Sequence, residues 1–533
     1  MLGLMQDWPL TLDRIIDYAA TRHATRVVVT RSIEGPIVRS TYAAIHNRAK
    51  RLSSALLADG IAPGDRVATL GFNTARHLEA WYGTMGIGVV CHTINPRLHV
   101  DQICWIVGHA EDRIILADPP FVPLLLERLA AMPSVRRIVV LADALTTHAA
   151  PLIAYEDWIR DASDHCDWGR FSEETAAGLC YTSGTTGNPK GVLYSHRSNF
   201  LHALMAIQPD VMALSATDVV LPVVPMFHAN GWGLPFAGPA VGAKMVMPGA
   251  KLDGASLHEL IETEGVTFSA AVPTVWQMLL AYLDETKQRL STLKRVLIGG
   301  AACPESMIRA FHDRYGVDVV HAWGMTETSP LGSTGKPAGE MGSLPFEEQI
   351  RFRVKQGRPP LGIDLKIVDE QGRRLDEDGR NAGYLRARGG IVARAYFGNE
   401  TSVLDEDGFF DTGDVASIDA DGFMQITDRS KDIIKSGGEW ISSVEIENIA
   451  AGHPKALLAA VVGVAHPKWG ERPLLLVQLK PGESAEAADF IALLDGRIAK
   501  WWMPDEVRFV PVIPLGATGK IDKKRIRAQL SGT

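Results

Sequence analysis

The 533-residue sequence predicts an α/β fold in a large first domain, followed by a small α+β domain. Two observations carry this. Apolar, strand-like runs alternate with helical patterns through the middle of the chain, and the character changes at a charged run, DRSKDIIK, across residues 428–435. A chain of this length also exceeds what a single hydrophobic core sustains, so at least two domains are expected.

In chain order, the β-branched run from Val266 to Val272 reads as a strand, Val275 to about Leu290 as a helix, and RVLIGG from Arg295 to Gly300 as the next strand. A helix opens at Pro304, a residue suited to a first helical turn, and VDVVHAW from Val317 to Trp323 is another strand. Strand and helix in alternation imply right-handed crossovers and a parallel sheet. Ligands then gather in the loops beyond the carboxyl ends of the strands, where GGAACP and GMTET stand. The segment from Leu331 to Pro360, rich in Gly, Pro and charge, reads either as a lid or as a long surface loop. Beyond the turn-rich DTGD and DADG segments and the charged run, Ser442 and Glu445 make a capping-box pattern. Two apolar strands, a helix near Ala485 to Lys500 and a strand from Val507 to Ile513 complete the small domain.

Composition narrows the function. Apolar residues at 46% and charged residues at 22% describe a globular protein that is neither disordered nor membrane-spanning. A net charge of -8, with no block of Lys and Arg, argues against nucleic acid and leaves any phosphate site local. The five cysteines, Cys91, Cys104, Cys166, Cys180 and Cys303, are scattered without paired metal-ligand spacing and fit reduced thiols in the cytoplasm. The amino terminus carries no basic region followed by an apolar run and cleavage site.

The sharpest local signal is the string from Tyr181 to Gly191, YTSGTTGNPKG, in which hydroxyls and glycines crowd a loop ending at Lys190. Glycines let backbone N–H groups approach phosphate oxygens, hydroxyls add donors, and a lysine supplies a point charge. Alone, such a loop is equally a solvated turn, and its spacing is not that of a Walker loop.

With its context, the string resembles the phosphate loop of the adenylate-forming enzymes, which include acyl-CoA synthetases, firefly-type luciferases and peptide-synthetase adenylation domains. Further matches follow in the family's order: WGMTE (Trp323 to Glu327), DTGD (Asp411 to Asp414), DRSKDIIKSGGEWIS and TGK (Thr518 to Lys520). The resemblance spans nearly the whole chain. It implies a large N-terminal domain (1–428) of mixed and parallel sheets sandwiched by helices, a hinge linker (429–435) centred on Lys431, and a small mobile C-terminal domain (436–533).

It also implies the site. Thr182, Ser183, Gly184, Thr185, Thr186 and Lys190 would hold the triphosphate of ATP, and Thr326 and Glu327 the α-phosphate, with Glu327 and Thr185 at Mg2+. Asp414 would accept hydrogen bonds from the ribose hydroxyls, assisted by Arg429. Gly300, Ala301, Ala302, His321, Ala322, Trp323, Gly324, Met325 and Ile426 would surround the nucleotide. Trp323 stands where the family usually has a tyrosine stacked on adenine, and a core aromatic is the plain alternative. Lys520 resembles the catalytic lysine bridging the substrate carboxylate and the α-phosphate, although Lys523 and Lys524 follow it closely. CoA would meet Ser436, Gly437, Gly438 and Trp440 once the small domain has turned.

The acyl pocket is expected around Met226 to Trp232, with His228 and Trp232 prominent, continuing through Val272-Pro273-Thr274-Val275-Trp276, Gly299, Gly300 and Pro330. Most of this lining is apolar and holds no cation for a second carboxylate, which favours a simple aliphatic acid. His228 is expected to contact or gate substrate rather than act as a base, because a carboxylate needs no deprotonation. Trp232 and SGGEWISSVE resemble the fatty-acid-activating branch, which implies an AMP-forming acyl-CoA ligase for a short-to-medium acid, with 3-methylmercaptopropionate favoured. A long-chain ligase and an enzyme loading a separate carrier protein are the alternatives. A homodimer is an expectation by analogy alone.

Overall fold

The computed structural model describes residues 1, 3–145, 150–182, 188–399, 401–437, 439–516 and 519–531. Of the expected site, Ser183, Gly184, Thr185, Thr186, Gly438 and Thr518 lie outside the described residues.

Two large sheets dominate. The first has eight strands in the order Leu331–Thr334, Asp318–Gly324, Arg295–Ile298, Phe268–Ala271, Val219–Pro222, Lys244–Met247, Val27–Arg31 and Ile37–Thr41. Its interior pairs are parallel, and only the outermost strand at each edge runs antiparallel. The second orders Leu152–Ala154, Arg137–Val140, Ile114–Ala117, Arg66–Leu70, Val90–Thr93, Ala176–Thr182 and Lys190–Ser195, parallel except for its last pair. Interior strands such as Val319 to Ala322 are buried, the near-continuous apolar runs expected of parallel sheets covered on both faces.

Helices fill the space between the sheets. Leu12, which precedes the first helix, Ile16 within it, Tyr42, Trp81, Tyr82 and Phe236 join Val28 and Phe268 of one sheet and Cys91 of the other in one core cluster. Each fully buried aromatic or aliphatic side chain contributes about 1.5–3 kcal/mol. A four-stranded antiparallel sheet, Ile363–Val368, Gly383–Gly389, Phe410–Ile418 and Met424–Arg429, closes the large domain. The smaller C-terminal domain is built on Glu439–Ile441, Ile434–Ser436, Gly470–Leu479 and Ala456–His466, with Glu506–Phe509 parallel to Gly470–Leu479. The Ser442 hydroxyl caps the helix Ser443–Ala451 by accepting from Glu445 N–H at 3.1 Å.

Three expectations need correction. The segment from Leu331 to Pro360 is neither a lid nor a long loop. Its first residues form a buried edge strand paired with Ala322 to Gly324, Thr334 bridges Arg358, and residues 346–353 are a helix whose Phe352 is buried against Phe423. The small residues of LGST hid that strand. The helix expected to reach Lys500 spans only Ala487–Leu494, because Asp495 turns extended and Gly496 takes φ +73°. The strand expected from Val507 to Ile513 is Glu506–Phe509.

Candidate active site

The site lies where the parallel strands end. Strand Arg295–Ile298 runs into Gly299-Gly300, Asp318–Gly324 into Met325 to Glu327, Val219–Pro222 into the Phe227-His228 loop, and Phe268–Ala271 into Val272. Such carboxyl ends collect ligands in sheets of this kind. Ala176–Thr182 ends at the segment expected to be the phosphate loop, whose described flanks, Thr182 and Lys190, are paired across an antiparallel ladder.

A cavity of about 570 Å³ opens beside the Gly299-Gly300 loop. Phe227, His228 and Trp232 form one wall, Val272, Thr274 and Val275 another, and Leu458 and Lys520 of the small domain face them. Gly300 has φ +79°, and a Cβ there would stand 3.2 Å from Val272 Cγ1 and 3.3 Å from Lys520 Cε, so glycine is what admits the lysine. The Trp232 ring covers the same loop, its Cη2 3.2 Å from where a Gly299 Cβ would stand. The backbone around Trp232 is strained, and the surrounding packing must hold it there. Ala229, Asn230, Gly231, Trp232 and Gly233 all have positive φ, from 43° to 74°. Left-handed backbone costs a non-glycine residue roughly 1–2 kcal/mol, and strain of this kind persists mainly where a ligand site is shaped by it.

The structure separates the three lysines that the sequence leaves equivalent. Lys523 is spent on Glu447 at 2.9 Å and on the Ser443 hydroxyl at 2.5 Å, tying two helices of the small domain together. Lys524 does not line the cavity, whereas Lys520 does and, among the described residues, makes no ion pair. Burial, and then the charge of Arg429, hold the Lys520 ammonium down to about 8, while Asp414 and Glu327 pull it the other way. These residues come from three regions of the chain, yet their charges meet at one place. Burial, and then Lys520, push the His228 imidazole down to about 4, so it is neutral at physiological pH and lines the cavity without adding charge.

At the nucleotide end, Glu327 is 6% exposed, and burial raises its carboxyl. The Tyr396 hydroxyl donates to its Oε1 at 2.9 Å, and the Tyr194 hydroxyl donates to Thr326 O at 2.8 Å. Arg429 lies opposite Asp414 across a β-ladder, Nε to Oδ1 at 2.8 Å, and the Trp323 indole donates to Asp414 Oδ2 at 2.9 Å. Trp323 is 8% exposed, and its ring packs on Gly332, so it serves first as a buried support of Asp414. Among the described residues no group of three His, Cys, Asp or Glu side chains is placed to hold a metal. One buried carboxylate, Glu327, with the Lys190 charge acting on it, still fits Mg2+, which usually keeps waters and takes substrate phosphates with only one or two protein carboxylates.

Other expected residues sit apart. The His321 ring is fully buried, accepting from Cys303 N–H at 3.3 Å and donating to Val354 O at 3.1 Å, which braces the strand. Trp276, expected in the acyl lining, is fully buried against Phe311 instead. Pro330 does not line the cavity. Its carbonyl accepts from Met325 N–H at 3.0 Å and from the Thr328 hydroxyl at 2.5 Å, bracing the Gly324 turn. Ala301, Ala302 and Ile426, expected at the nucleotide rather than at the acid, do not line this cavity. Ser436 is buried, and Trp440 stacks edge-on with Tyr384 of the four-stranded sheet, so the described residues expected at CoA, Ser436, Gly437 and Trp440, do not line the Lys520 cavity in this arrangement. Arg97 lines the cavity, so the expectation of a lining without a cation does not hold, and Arg97, Tyr194 and Tyr396 were not singled out by sequence reasoning. They stand outside the motifs, and only the fold brings them near.

A cation lining a cavity that can take an acid, and feeling the charges of Glu327, Asp414 and Arg429, is suited to joining a carboxylate to a second anionic substrate. Comparison with known proteins assigns that class. The AMP-binding enzyme profile matches residues 16–397 and the AMP-binding enzyme C-terminal domain matches residues 445–520, and the chain belongs to this family. It is 50% identical to the 3-methylmercaptopropionyl-CoA ligase of Ruegeria pomeroyi, over 99% of each chain. It is 48% identical to the medium-chain-fatty-acid–CoA ligase of Ectopseudomonas oleovorans, over 99% of this chain and 97% of that one. The crystal structure of the anthranilate CoA ligase AuaEII in complex with anthranoyl-AMP superposes with a TM-score of 0.89 at 26% identity, covering 99% and 100% of the two chains. The activity is that of an ATP-dependent, AMP-forming acyl-CoA ligase. Among the described residues no helix is long and apolar enough to cross a membrane.

Proposed function

We propose that the enzyme activates 3-methylmercaptopropionate or a short-to-medium-chain fatty acid, with 1–428 carrying the ATP and acyl sites, 429–435 the hinge, its ends Arg429 and Ile434-Lys435 already paired into the sheets of the two domains it joins, and 436–533 the catalytic lysine. The observation that carries this is Lys520, an ammonium without an ion pair among the described residues, in a mostly apolar cavity and electrostatically coupled to Glu327, Asp414 and Arg429. A carboxylate oxygen of the acid attacks the α-phosphorus, and the bond to pyrophosphate breaks. Lys520 stands between two anions that would otherwise repel and stabilises the charge developing between them. Lys190 and the phosphate loop hold the leaving pyrophosphate, and Asp414 with Arg429 holds the ribose. Mg2+, held by Glu327 with Thr185, would neutralise charge on the phosphates when bound. In the second step the CoA sulfur bonds to the acyl carbon, AMP leaves, and the thiol proton passes to solvent. Ser436, Gly437, Gly438 and Trp440 would line the thiol's approach after rotation at Lys431. The cytoplasm as compartment and a homodimer of 57.9 kDa chains belong to the same proposal.

One observation favours the longer acids. A cavity of about 570 Å³ lies within the roughly 300–1,000 Å³ that drug-sized ligands occupy, more than a four-carbon-length acid fills. CoA-dependent AMP formation with Mg-ATP, measured across acetate, butyrate, hexanoate, octanoate, palmitate and 3-methylmercaptopropionate, decides the acid. An optimum at 3-methylmercaptopropionate or at butyrate to octanoate upholds the assignment, and a palmitate optimum refutes it.

A further inference from the structure

Residues 393–397 join two parts of the nucleotide site that are far apart in sequence. Ala393 N–H donates to Glu327 O at 2.8 Å, and Phe397 N–H donates to Gly191 O at 2.8 Å, one residue beyond Lys190. Tyr396 lies between these ties. Its hydroxyl donates to Glu327 Oε1 at 2.9 Å, and the Lys190 ammonium stands 4.8 Å from the centre of its ring. One side chain therefore serves two groups of opposite charge, an edge-on donor to the anion and an aromatic face to the cation. Glu327 needs such a donor, because a carboxylate only 6% exposed has lost most of its water. Among the described residues, no other side chain is hydrogen-bonded to that carboxylate.

We propose that Tyr396 is the positioning residue for the metal and polyphosphate end of this site: its hydroxyl fixes one oxygen of Glu327 so that the other is left to the cation, and its ring seats Lys190 against the phosphates. The proposal rests on the roles given above to Glu327 and Lys190. It separates the two contacts into two effects. Tyr396→Phe removes the hydroxyl and keeps the ring, whereas Tyr396→Leu removes both.

The test is ATP binding by calorimetry with no acid and no CoA present, at a series of Mg2+ concentrations and in EDTA, alongside apo melting temperatures. Tyr396→Phe is expected to raise the Mg2+ needed for half-maximal enhancement of ATP binding by roughly tenfold, the size typical of a lost partner behind a metal ligand. Its affinity for metal-free ATP should be unchanged. Tyr396→Leu should show the same Mg2+ shift and, in addition, bind metal-free ATP about 2- to 5-fold more weakly as the cation–π contact is lost. In turnover, both should raise the KM for Mg-ATP while leaving that for the acid unchanged. Unchanged Mg2+ dependence in Tyr396→Phe, or equal losses for ATP with and without metal accompanied by a lower melting temperature, would overturn the proposal in favour of a packing role. Glu327→Gln is the reference. If it too leaves the Mg2+ dependence unchanged, the metal reading of Glu327 fails, and the role of Tyr396 falls with its premise.

Discussion

Raising the pH from 7 to 9 should switch off the adenylation half-reaction while leaving thioester formation running. Lys520 titrates near 8 rather than near its ordinary 10.5, chiefly because it is buried and next because Arg429 is close. In the proposed mechanism adenylation needs the ammonium, so the rate follows its protonated fraction, roughly nine tenths at pH 7 and one tenth at pH 9. The kcat/KM for acyl-adenylate formation, which reports the free enzyme, should fall about tenfold over that interval. The assay is pyrophosphate release without CoA, compared with CoA attack on supplied acyl-adenylate, in which Lys520 takes no part. Lys520→Arg keeps its charge throughout and should lose the descending limb at a lower overall rate. Lys520→Met should lose roughly 10²–10³-fold in adenylation at every pH. The substitution should not unfold the protein. A lysine whose folded pKa lies below its unfolded value costs stability at pH below 8, by up to about 3 kcal/mol, and the cost is relieved as pH rises through about 8 to 10.5. Lys520→Met should therefore melt no lower than the native chain at pH 7. A native limb centred near 10, or the same limb persisting in Lys520→Arg, would refute the assignment of this titration to Lys520.

Three further outcomes follow from the geometry. Gly300→Ala places a methyl 3.2 Å from Val272 and 3.3 Å from Lys520 at φ +79°, so adenylation kcat/KM should fall at least roughly tenfold and the urea midpoint should drop by about 1 kcal/mol in stability. Trp323→Phe retains an aromatic face but loses the donor to Asp414, so the KM for ATP should rise roughly tenfold with the acid KM unchanged, read from steady-state titrations of each substrate. Glu264, bonded to Arg39 at 2.6 Å and Lys244 at 2.9 Å, is held down to about 2, chiefly by its hydrogen bond to Arg39. Its contribution is present above about pH 4.5 and is lost as pH falls towards 2, so Glu264→Gln should lower stability by about 3 kcal/mol at pH 7 and by much less at pH 3, measured by urea unfolding.

The strands around the site were legible because parallel strands buried on both faces leave continuous apolar runs, and Val317 to Trp323 was found within one residue of the observed strand. The phosphate loop, Glu327, Asp414 and Lys520 stand in motifs, and a motif places a residue in the chain without telling which way its side chain points. The helix Pro273–Thr286 shows what was lost. Val275 and Trp276 were read together as pocket lining, yet successive residues of an α-helix are about 100° apart. Thr274, Val275, Met278, Ala281, Tyr282 and Glu285 follow the helical repeat along the cavity face, and Trp276, Leu279, Leu280 and Leu283 follow it along the core face. That division was available from spacing alone, given a helix starting at Pro273. Tyr396 was not available in the same way. Nothing in ARAYFGNE distinguishes its tyrosine from a surface aromatic, and its meaning arises only when the turn after Gly389 lies against both Glu327 and Gly191. Spacing thus decides which face of one element a residue occupies, while the pairing of elements decides what that face meets, and the residues missed here are those whose role depends on the second.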